Sequence, residues 1–285
     1  MNRQIRIFST KDDEYLKDFK EVALELNLKI LIYHYERFSF ADNRLTYTGR
    51  KDFPKFSDQD SVLFRRPSYD KQKQHFWVRL LATLARDAGS KVINPDFMVN
   101  FPLHSGKLFQ AAYFSAYDIP HVPTYRLDRK LKNLDFPMII KKRYSAYGHG
   151  TCLVESNAEF NEARSRIAGK GDYIVQKFYP LKRDVRVMVL NNQVIGSVQR
   201  QPHIHADRRV GVKVGRPIEL IEAEQDIVKQ VIRVFDLDLA GLDLFTNHQG
   251  KTWLGEMNFF PNFTSFMRET EINLFKLILE NLNRH

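Results

Sequence analysis

The 285 residues include 44 Lys and Arg against 34 Asp and Glu, a formal charge of +10, with 43% apolar and 13% aromatic content. That is the composition of a globular chain with core for about two domains, and no apolar run approaches the roughly 20 residues that span a bilayer. A lone cysteine, Cys152, excludes an intramolecular disulfide and any multi-cysteine metal site. The start, MNRQIRIFS, has no long apolar stretch, so no secretory signal is expected and a reducing cytoplasm is the natural location. The basic excess attracts polyanions and acidic substrates, without choosing among nucleic acid, nucleotide phosphates and an acidic peptide.

Strand and helix alternate through residues 1–103. Ile5–Phe8, Lys29–His34, Ser61–Arg65 and Lys91–Ile93 read as strands, expected to be parallel. Asp12–Leu26 has helical apolar spacing. Lys71–Ala88 reads as a helix whose stripe is Phe76, Trp77, Leu80, Leu81, Leu84, Ala85 and Ala88, stopped at Gly89. Phe40–Asp60 is polar and irregular, a loop or short hairpin, and no GxGxxG follows the first strand, so a dinucleotide fingerprint is absent. A helix over Ser105–Tyr117 precedes the Pro-marked DIPHVPTY. Strands are expected at Met138–Lys142, Thr151–Glu155 and Tyr173–Lys177, with a helix near Ala158–Ile167. Strands at Asp184–Leu190 and Gln193–Arg200, a basic loop, a helix over Ala223–Phe235, a hairpin and a terminal helix over Glu271–Leu282 complete the chain.

That hairpin carries the strongest chemical signal. AGLDLF and WLGEMN flank a tight turn, Asn247–Gly250. A turn centred on His248 and Gln249 sets Asp243 opposite Leu254. Side chains repeat on one face at every second residue, so Leu254, Glu256 and Asn258 join Asp243 there. Three hard oxygen donors on a rigid ribbon suit Mg2+; a solvated strand face is the alternative. The small-residue loop Ser145–Gly150 lets backbone N–H groups approach a phosphate, with the Lys141 ammonium just before it, although a generic glycine-rich loop has the same composition. Asp184 and Arg186 share a strand face opposite Val185, Val187 and Val189. Arg200 and Asp207-Arg208-Arg209 follow, a convergence of cations suited to an anionic transition state, or to a structural ion pair or nucleic-acid patch. No interleaved stacking platform of the single-strand binders is present. Gln176-Lys177-Phe178 ends a strand, where unpaired main-chain groups can meet an adenine edge. The nine histidines show no metal spacing, and Cys152 lies on a strand rather than at a helix start, against a catalytic thiol.

In order, these pieces resemble the ATP-grasp ligases over residues 104–262, through SGKLFQ with DIPHVPTY, FPMIIKKRYSAYGHGTCLVE, YIVQKFY, DVRVMVL, VQRQ, and AGLDLF with LGEMNFFPN. By pattern they are similar to the RimK-type carboxylate–amine ligases and the graspetide (microviridin-type) macrocyclases, whose leading domain VLFRRP and KVINP also resemble. The resemblance implies an α/β (α+β) chain with the ATP-grasp fold: an N-terminal α/β pre-ATP-grasp domain over 1–103, a central subdomain with the phosphate loop over 104–180, and a C-terminal subdomain with the Mg2+ site over 181–285. It implies ATP and Mg2+ as cofactors, two ions, with Mn2+ able to substitute. Lys107 and Lys141 would contact ATP phosphates beneath a flap of Tyr147, Gly148, His149 and Gly150. Gln176, Lys177 and Phe178 would form the adenine hinge, with Asp184 also on the nucleotide. Asp243, Glu256 and Asn258 would hold the metal, while Arg186 and Arg200 stabilise the transferred phosphoryl group. The expected reaction makes an amide or ester through an acyl phosphate. The carboxylate expected is that of a peptide or protein, alternatively that of a free amino acid or small metabolite. No membrane or nucleic-acid partner is expected, and a homodimer is left open; a basic nucleic-acid-binding protein and an inactive nucleotide-binding scaffold are the rival classes. Lys177 stands where relatives commonly have an acidic residue, Phe259 and Phe260 follow the metal asparagine, and Asp207–Lys213 lacks the familiar asparagine.

Overall fold

The computed structural model describes residues 3–41, 43–49, 53, 55–68, 71–127, 131, 134–144, 151–169, 172–204 and 210–284. Two compact units divide the chain, Met1–Leu103 with Ile272–His285, and His104–Glu271. The first contains β1 (Gln4–Ser9), α1 (Tyr15–Glu25), β2 (Ile30–His34), the hairpin β3 (Phe38–Ala41) and β4 (Arg44–Tyr47), β5 (Asp60–Phe64), α2 (Gln72–Asp87), β6 (Lys91–Val92) and α3 (Pro95–Val99). The sheet runs β2-β1-β5-β6, with every pair parallel as expected. Continuous burial along β5 matches a strand covered on both faces. The one charge it carries, Asp60, is paired: Arg6 on β1 donates to both carboxylate oxygens at 2.7 and 2.9 Å.

Two details differ from expectation. Helix α2 buries Trp77, Leu81 and Ala85 with the adjoining Val78 and Ala82, whereas Phe76 and Leu84 are 54% and 40% exposed. Apolar residues wrap more of this helix than one face can cover, and at 100° per residue the row through Trp77 wins over the row through Phe76. The terminal helix, Leu274–Asn283, groups with the first unit rather than with the residues before it. Phe275 sets its ring edge-on to Phe19 at 4.9 Å and to Tyr15 at 5.7 Å. The Ser61 hydroxyl donates to the Leu282 carbonyl at 2.6 Å, and the Lys91 ammonium donates to the Asn281 carbonyl. The first bond satisfies a carbonyl of the helix end, and the second adds to the Arg284 N–H that the Asn281 carbonyl already accepts at 3.3 Å.

The second unit holds two antiparallel sheets. α4 (Lys107–Ala116), β7 (Thr124–Arg126), β8 (Met138–Lys142), β9 (Cys152–Val154), α5 (Asn157–Ile167) and β10 (Tyr173–Lys177) form the first, in the order β7-β10-β8-β9. Met138, Ile140, Val154, Phe160 and Val175 make its core, and the Ser156 hydroxyl caps α5 by accepting from the Glu159 N–H. β11 (Leu181–Leu190), β12 (Gln193–Ile204), β13 (Val210–Pro217), α6 (Glu222–Phe235), β14 (Leu239–Asn247), β15 (Thr252–Asn258) and α7 (Phe263–Thr270) follow. The five strands run β13-β12-β11-β14-β15. Val185, Val187 and Val189 are fully buried on one face of β11, as their alternation requires. Strands β7 and β13 and helices α3 and α7 were not foreseen. β12 pairs antiparallel with β13, so residues 210–213, expected in the basic loop, are strand. Among the described residues, no helix is long and apolar enough to cross a membrane.

Phe275→Ala should destabilise the first unit by about 3–5 kcal/mol in urea unfolding, the usual penalty for deleting a buried ring. A loss below about 1 kcal/mol would mean that the edge-on contacts with Phe19 and Tyr15 do not anchor the terminal helix.

Candidate functional site

The site is built on the hairpin of β14 and β15. Its turn is fixed by Asn247, whose side-chain oxygen accepts from the main-chain N–H groups of Gln249 and Lys251 at 3.1 and 2.9 Å, and by Gly250 at φ +82°. From the turn, Thr246 faces Thr252, Phe245 faces Trp253 and Leu244 faces Leu254. The register then shifts: Asp243 faces Glu256, Leu242 faces Met257 and Gly241 faces Asn258. Gly255 is the extra residue of a β-bulge. The expected pairing of Asp243 with Leu254 is therefore corrected. Leu254 lies fully buried on the other face with Leu244, and it is the bulge that brings Glu256 and Asn258 round to the face of Asp243.

Three strands converge on that face. Arg186 on β11 stands opposite Asp243, and its Nε and Nη2 donate to Asp243 Oδ1 and Oδ2 at 2.5 and 2.9 Å. Arg200 on β12 donates through Nη1 to Asp243 Oδ2 at 2.7 Å, and through Nε to Asp184 Oδ1 at 2.8 Å. The ion pairs run across strands, Asp184 to Arg200 and Arg186 to Asp243, rather than along β11 between Asp184 and Arg186. Gly241 makes room for this: a Cβ there would lie 3.1 Å from Arg186 Cδ and 3.0 Å from Pro261 Cβ. Burial opposes the charge of Asp243, but Arg186 and Arg200 outweigh it and hold its pKa below the ordinary carboxylate value. Burial raises the pKa of Asp184, with Arg200 opposing the rise. Burial likewise works against the Arg200 cation, and Asp243 and Asp184 overcome it, raising its pKa.

Two lysines approach from the neighbouring elements. Lys107, the first residue of α4, places its ammonium 3.3 Å from Glu256 Oε1. Lys141, on β8, has its pKa pushed down to about 8, first by burial and then by Lys107, with Glu256, Asp184 and Asp243 pulling the other way. So Lys107, Lys141, Asp184, Arg186, Arg200, Asp243 and Glu256 form one electrostatic group, and Asn258 shares its strand face. The expected flap residues Tyr147, Gly148, His149 and Gly150 lie outside the described residues, as do Asp207, Arg208 and Arg209.

The Gln176–Phe178 segment is placed at the end of β10, but its groups are already engaged. Gln176 donates through Nε2 to the Thr124 hydroxyl at 2.8 Å. The Lys177 ammonium donates to the Asp135 and Phe136 carbonyls and pairs with the Asp135 carboxylate, each within 3.0 Å. The Phe178 N–H donates to the Pro137 carbonyl at 3.0 Å, so this strand end does not leave that donor open as expected. Sequence reasoning also passed over Phe245 and Gly255, although Phe245, two residues after Asp243, was readable as a same-face neighbour.

Asp243, Glu256 and Asn258 offer two carboxylates and an amide oxygen. Among the described residues, no group of three or more His, Cys, Asp and Glu could hold a metal ion, so a three-ligand set here depends on the Asn258 amide. Asp243 accepts three hydrogen bonds, of the roughly four that a carboxylate can take. One lone pair therefore remains on an ionised, hard oxygen, and the donor set fits Mg2+.

A family model described as a RimK-like ATP-grasp domain matches residues 124–282. The chain is 26% identical over 161 residues to the coenzyme gamma-F420-2:alpha-L-glutamate ligase of Methanocaldococcus jannaschii, covering 54% of each. It is 24% identical over 152 residues to beta-citrylglutamate synthase B of Homo sapiens, covering 52% of this chain and 39% of that one. The chain thus spans about half the length of the curated relatives it matches. Among solved structures, the ATP-grasp ligase PsnB complexed with minimal precursor has the same fold, with a TM-score of 0.72 at 16% identity over 99% of this chain and 98% of PsnB. The family match extends over more than half of the chain and takes in β8 to β15 with the charged face they carry, and on that ground the chain belongs to the RimK-like ATP-grasp family.

Proposed function

We propose that the chain is an ATP- and Mg2+-dependent carboxylate ligase. A substrate carboxylate attacks the γ-phosphorus of ATP to give an acyl phosphate and ADP; an amine, or a hydroxyl, then displaces phosphate and leaves an amide or an ester. The observation that carries this reading is the single sheet face on which Arg186, Arg200, Asp243, Glu256 and Asn258 stand, with Lys107 paired to Glu256. A carboxylate is a poor acyl donor, and making it a good one develops charge on the transferred phosphoryl group. Donors that are held in place before reaction contribute about 3 kcal/mol each in a water-poor site. Arg186 and Arg200 are the proposed donors, and Lys107 and Lys141 the proposed phosphate contacts. Asp243, Glu256 and Asn258 are the proposed ligands of Mg2+, which when bound neutralises phosphate oxygens. Two ions, exchangeable for Mn2+, are part of this proposal.

The family uses ATP and Mg2+. The adenine contact is assigned to Gln176–Phe178, although its Phe178 N–H already donates to Pro137 and its Lys177 ammonium is turned to Asp135. Asp184 is assigned to orienting Arg200 as well as to the nucleotide side of the site. Central and C-terminal subdomains, 104–180 and 181 onward, would hold the nucleotide together in a protein located in the cytoplasm. The substrate proposed is a peptide or protein carboxylate, supported by the +10 charge, which favours an acidic chain. A free amino acid is the second reading, supported by the M. jannaschii relative, whose name gives L-glutamate as what it ligates.

Incubation with ATP, Mg2+ and either pooled acidic peptides or pooled amino acids separates the two. ADP release with loss of one water from a peptide mass supports the first, and ADP release only with amino acids supports the second. No ADP with either pool would sink the ligase reading. Glu256→Gln should lower Mg2+-dependent turnover by roughly 100-fold while leaving the far-UV circular dichroism unchanged; retained turnover would remove Glu256 from the metal set.

Lys141 supplies a pH signature. Its pKa is pushed down to about 8 in the folded chain against 10.5 ordinarily. The folded state therefore binds fewer protons between these values, and stability rises with pH across that window. Polyphosphate beside Lys141 raises its pKa again, so ADP binding at pH 8 should take up about half a proton, read by calorimetry in buffers of different ionisation enthalpy. Lys141→Met should abolish the uptake; an unchanged value would place the titrating group elsewhere.

A further inference from the structure

We infer that Gly255 is a positioning residue: its missing side chain admits the ring of Phe245 and so permits the bulge that turns Glu256 toward Asp243. This rests on the reading of Glu256 as a metal ligand. A Cβ on Gly255 would stand 2.3, 2.7 and 2.9 Å from three atoms of the Phe245 ring, Cε2, Cζ and Cδ2. Such contacts require something to shift. Gly255 is not among the residues with positive φ, so its backbone is open to any residue and the demand for glycine is one of space.

The ring has little freedom to leave. Phe245 sits between Asp184 on β11 and Trp253 on β15 in the strand register. The Arg200 guanidinium lies 6.0 Å from its centroid, and Trp253 is itself stacked against Tyr179 at 4.5 Å. On this face β15 presents Trp253 and then Glu256, three residues apart where regular alternation gives two. The Phe245 ring fills the gap.

Without the bulge, alternation from Trp253 would put residues 255 and 257 on this face and send Glu256 and Asn258 to the face of Leu254, since a one-residue slip reverses every side chain beyond it. The outer edge of β15 is pinned on both sides of the bulge. Leu254 N–H donates to the Pro120 carbonyl at 2.7 Å and the Leu254 carbonyl accepts from Val122 at 3.4 Å. Gln110 accepts from the Met257 N–H at 2.9 Å and donates to its carbonyl at 2.7 Å. The extra residue is therefore confined to Gly255.

The test is a double-mutant cycle on the full chain, Gly255→Ala and Phe245→Ala alone and together, with two readouts. One is the backbone nuclear Overhauser contact between residues 243 and 256, which needs no nucleotide. The other is the enhancement of ADP affinity by Mg2+. Gly255→Ala should remove the contact and weaken the enhancement by about tenfold or more, whereas in the Phe245→Ala background the same substitution should change either readout by less than about twofold. A Gly255→Ala chain that keeps both, or an equal loss in the Phe245→Ala background, overturns the proposal. If Gly255→Ala does not fold, the double variant decides: it folds and keeps the contact where the ring is the cause, and fails where it is not. A wild-type chain whose ADP affinity ignores Mg2+ would overturn the ligase reading, and the Overhauser arm would still decide the role of Gly255.

Discussion

The Asp243 carboxylate accepts from Arg186 and Arg200 at once, and with Asp184 it forms a four-membered set of two cations and two anions across β12, β11 and β14. Two guanidiniums this close repel unless an anion lies between them. Taking such ions out of water is expensive, and the attraction repays it only when each partner is present and well aimed. The set therefore acts on register more than on net stability. Sliding β12 or β14 by one residue would leave a buried charge with no partner, a penalty several times larger than a lost apolar contact. The opposite face of β11, with its three buried valines, would tolerate such a slip far better, so the charged face is what gives the sheet one arrangement.

The same sharing shapes the chemistry proposed for the site. Asp243 stays ionised because two cations hold it so, and Arg200 stays charged for the reciprocal reason. A cation held by Asp243 would compete with the guanidiniums, while an incoming phosphate would offer those guanidiniums a new acceptor. When both charges arrive together, Arg186 and Arg200 can exchange a carboxylate for a phosphate oxygen without any buried ion passing through an unpaired state. A cation or an anion alone lacks this compensation.

Much of this was legible in the sequence, and the failures have definite causes. Alternation in DVRVMVL separates the charged face of β11 from its core face, and the acidic pattern of AGLDLF and LGEMN identified the hairpin. The trio was assigned to one face correctly but through a register that does not occur. Turn residues fix pairing only as far as the first irregularity, and that irregularity arises from a ring packed over Gly255, ten residues away in sequence from Phe245. The partners of Lys177 were hidden for a similar reason: Asp135 lies 42 residues upstream, and only strand pairing brings it close. Helical spacing gave the apolar character of α2 and of the terminal helix, but not which row of residues, or which sheet, the packing selects.

The burial of the cations bears on which polyanion the site can serve. A surface that tracks a nucleic-acid backbone needs exposed lysines and arginines, because its affinity comes from phosphates spread along an extended groove. Here the side chains of Lys107 and Arg200 are only 10% and 8% exposed. Lys141 is desolvated enough, and close enough to Lys107, for its ammonium to be weakened. Setting two ammonium groups near enough to weaken one of them is unfavourable in itself, and a general solvated basic face has no reason to do it. The arrangement becomes favourable for a compact, multiply charged anion that reaches inward, with Glu256 and Asp243 alongside for a cation that would accompany it. A terminal polyphosphate has that shape and charge, and an extended nucleic-acid strand does not.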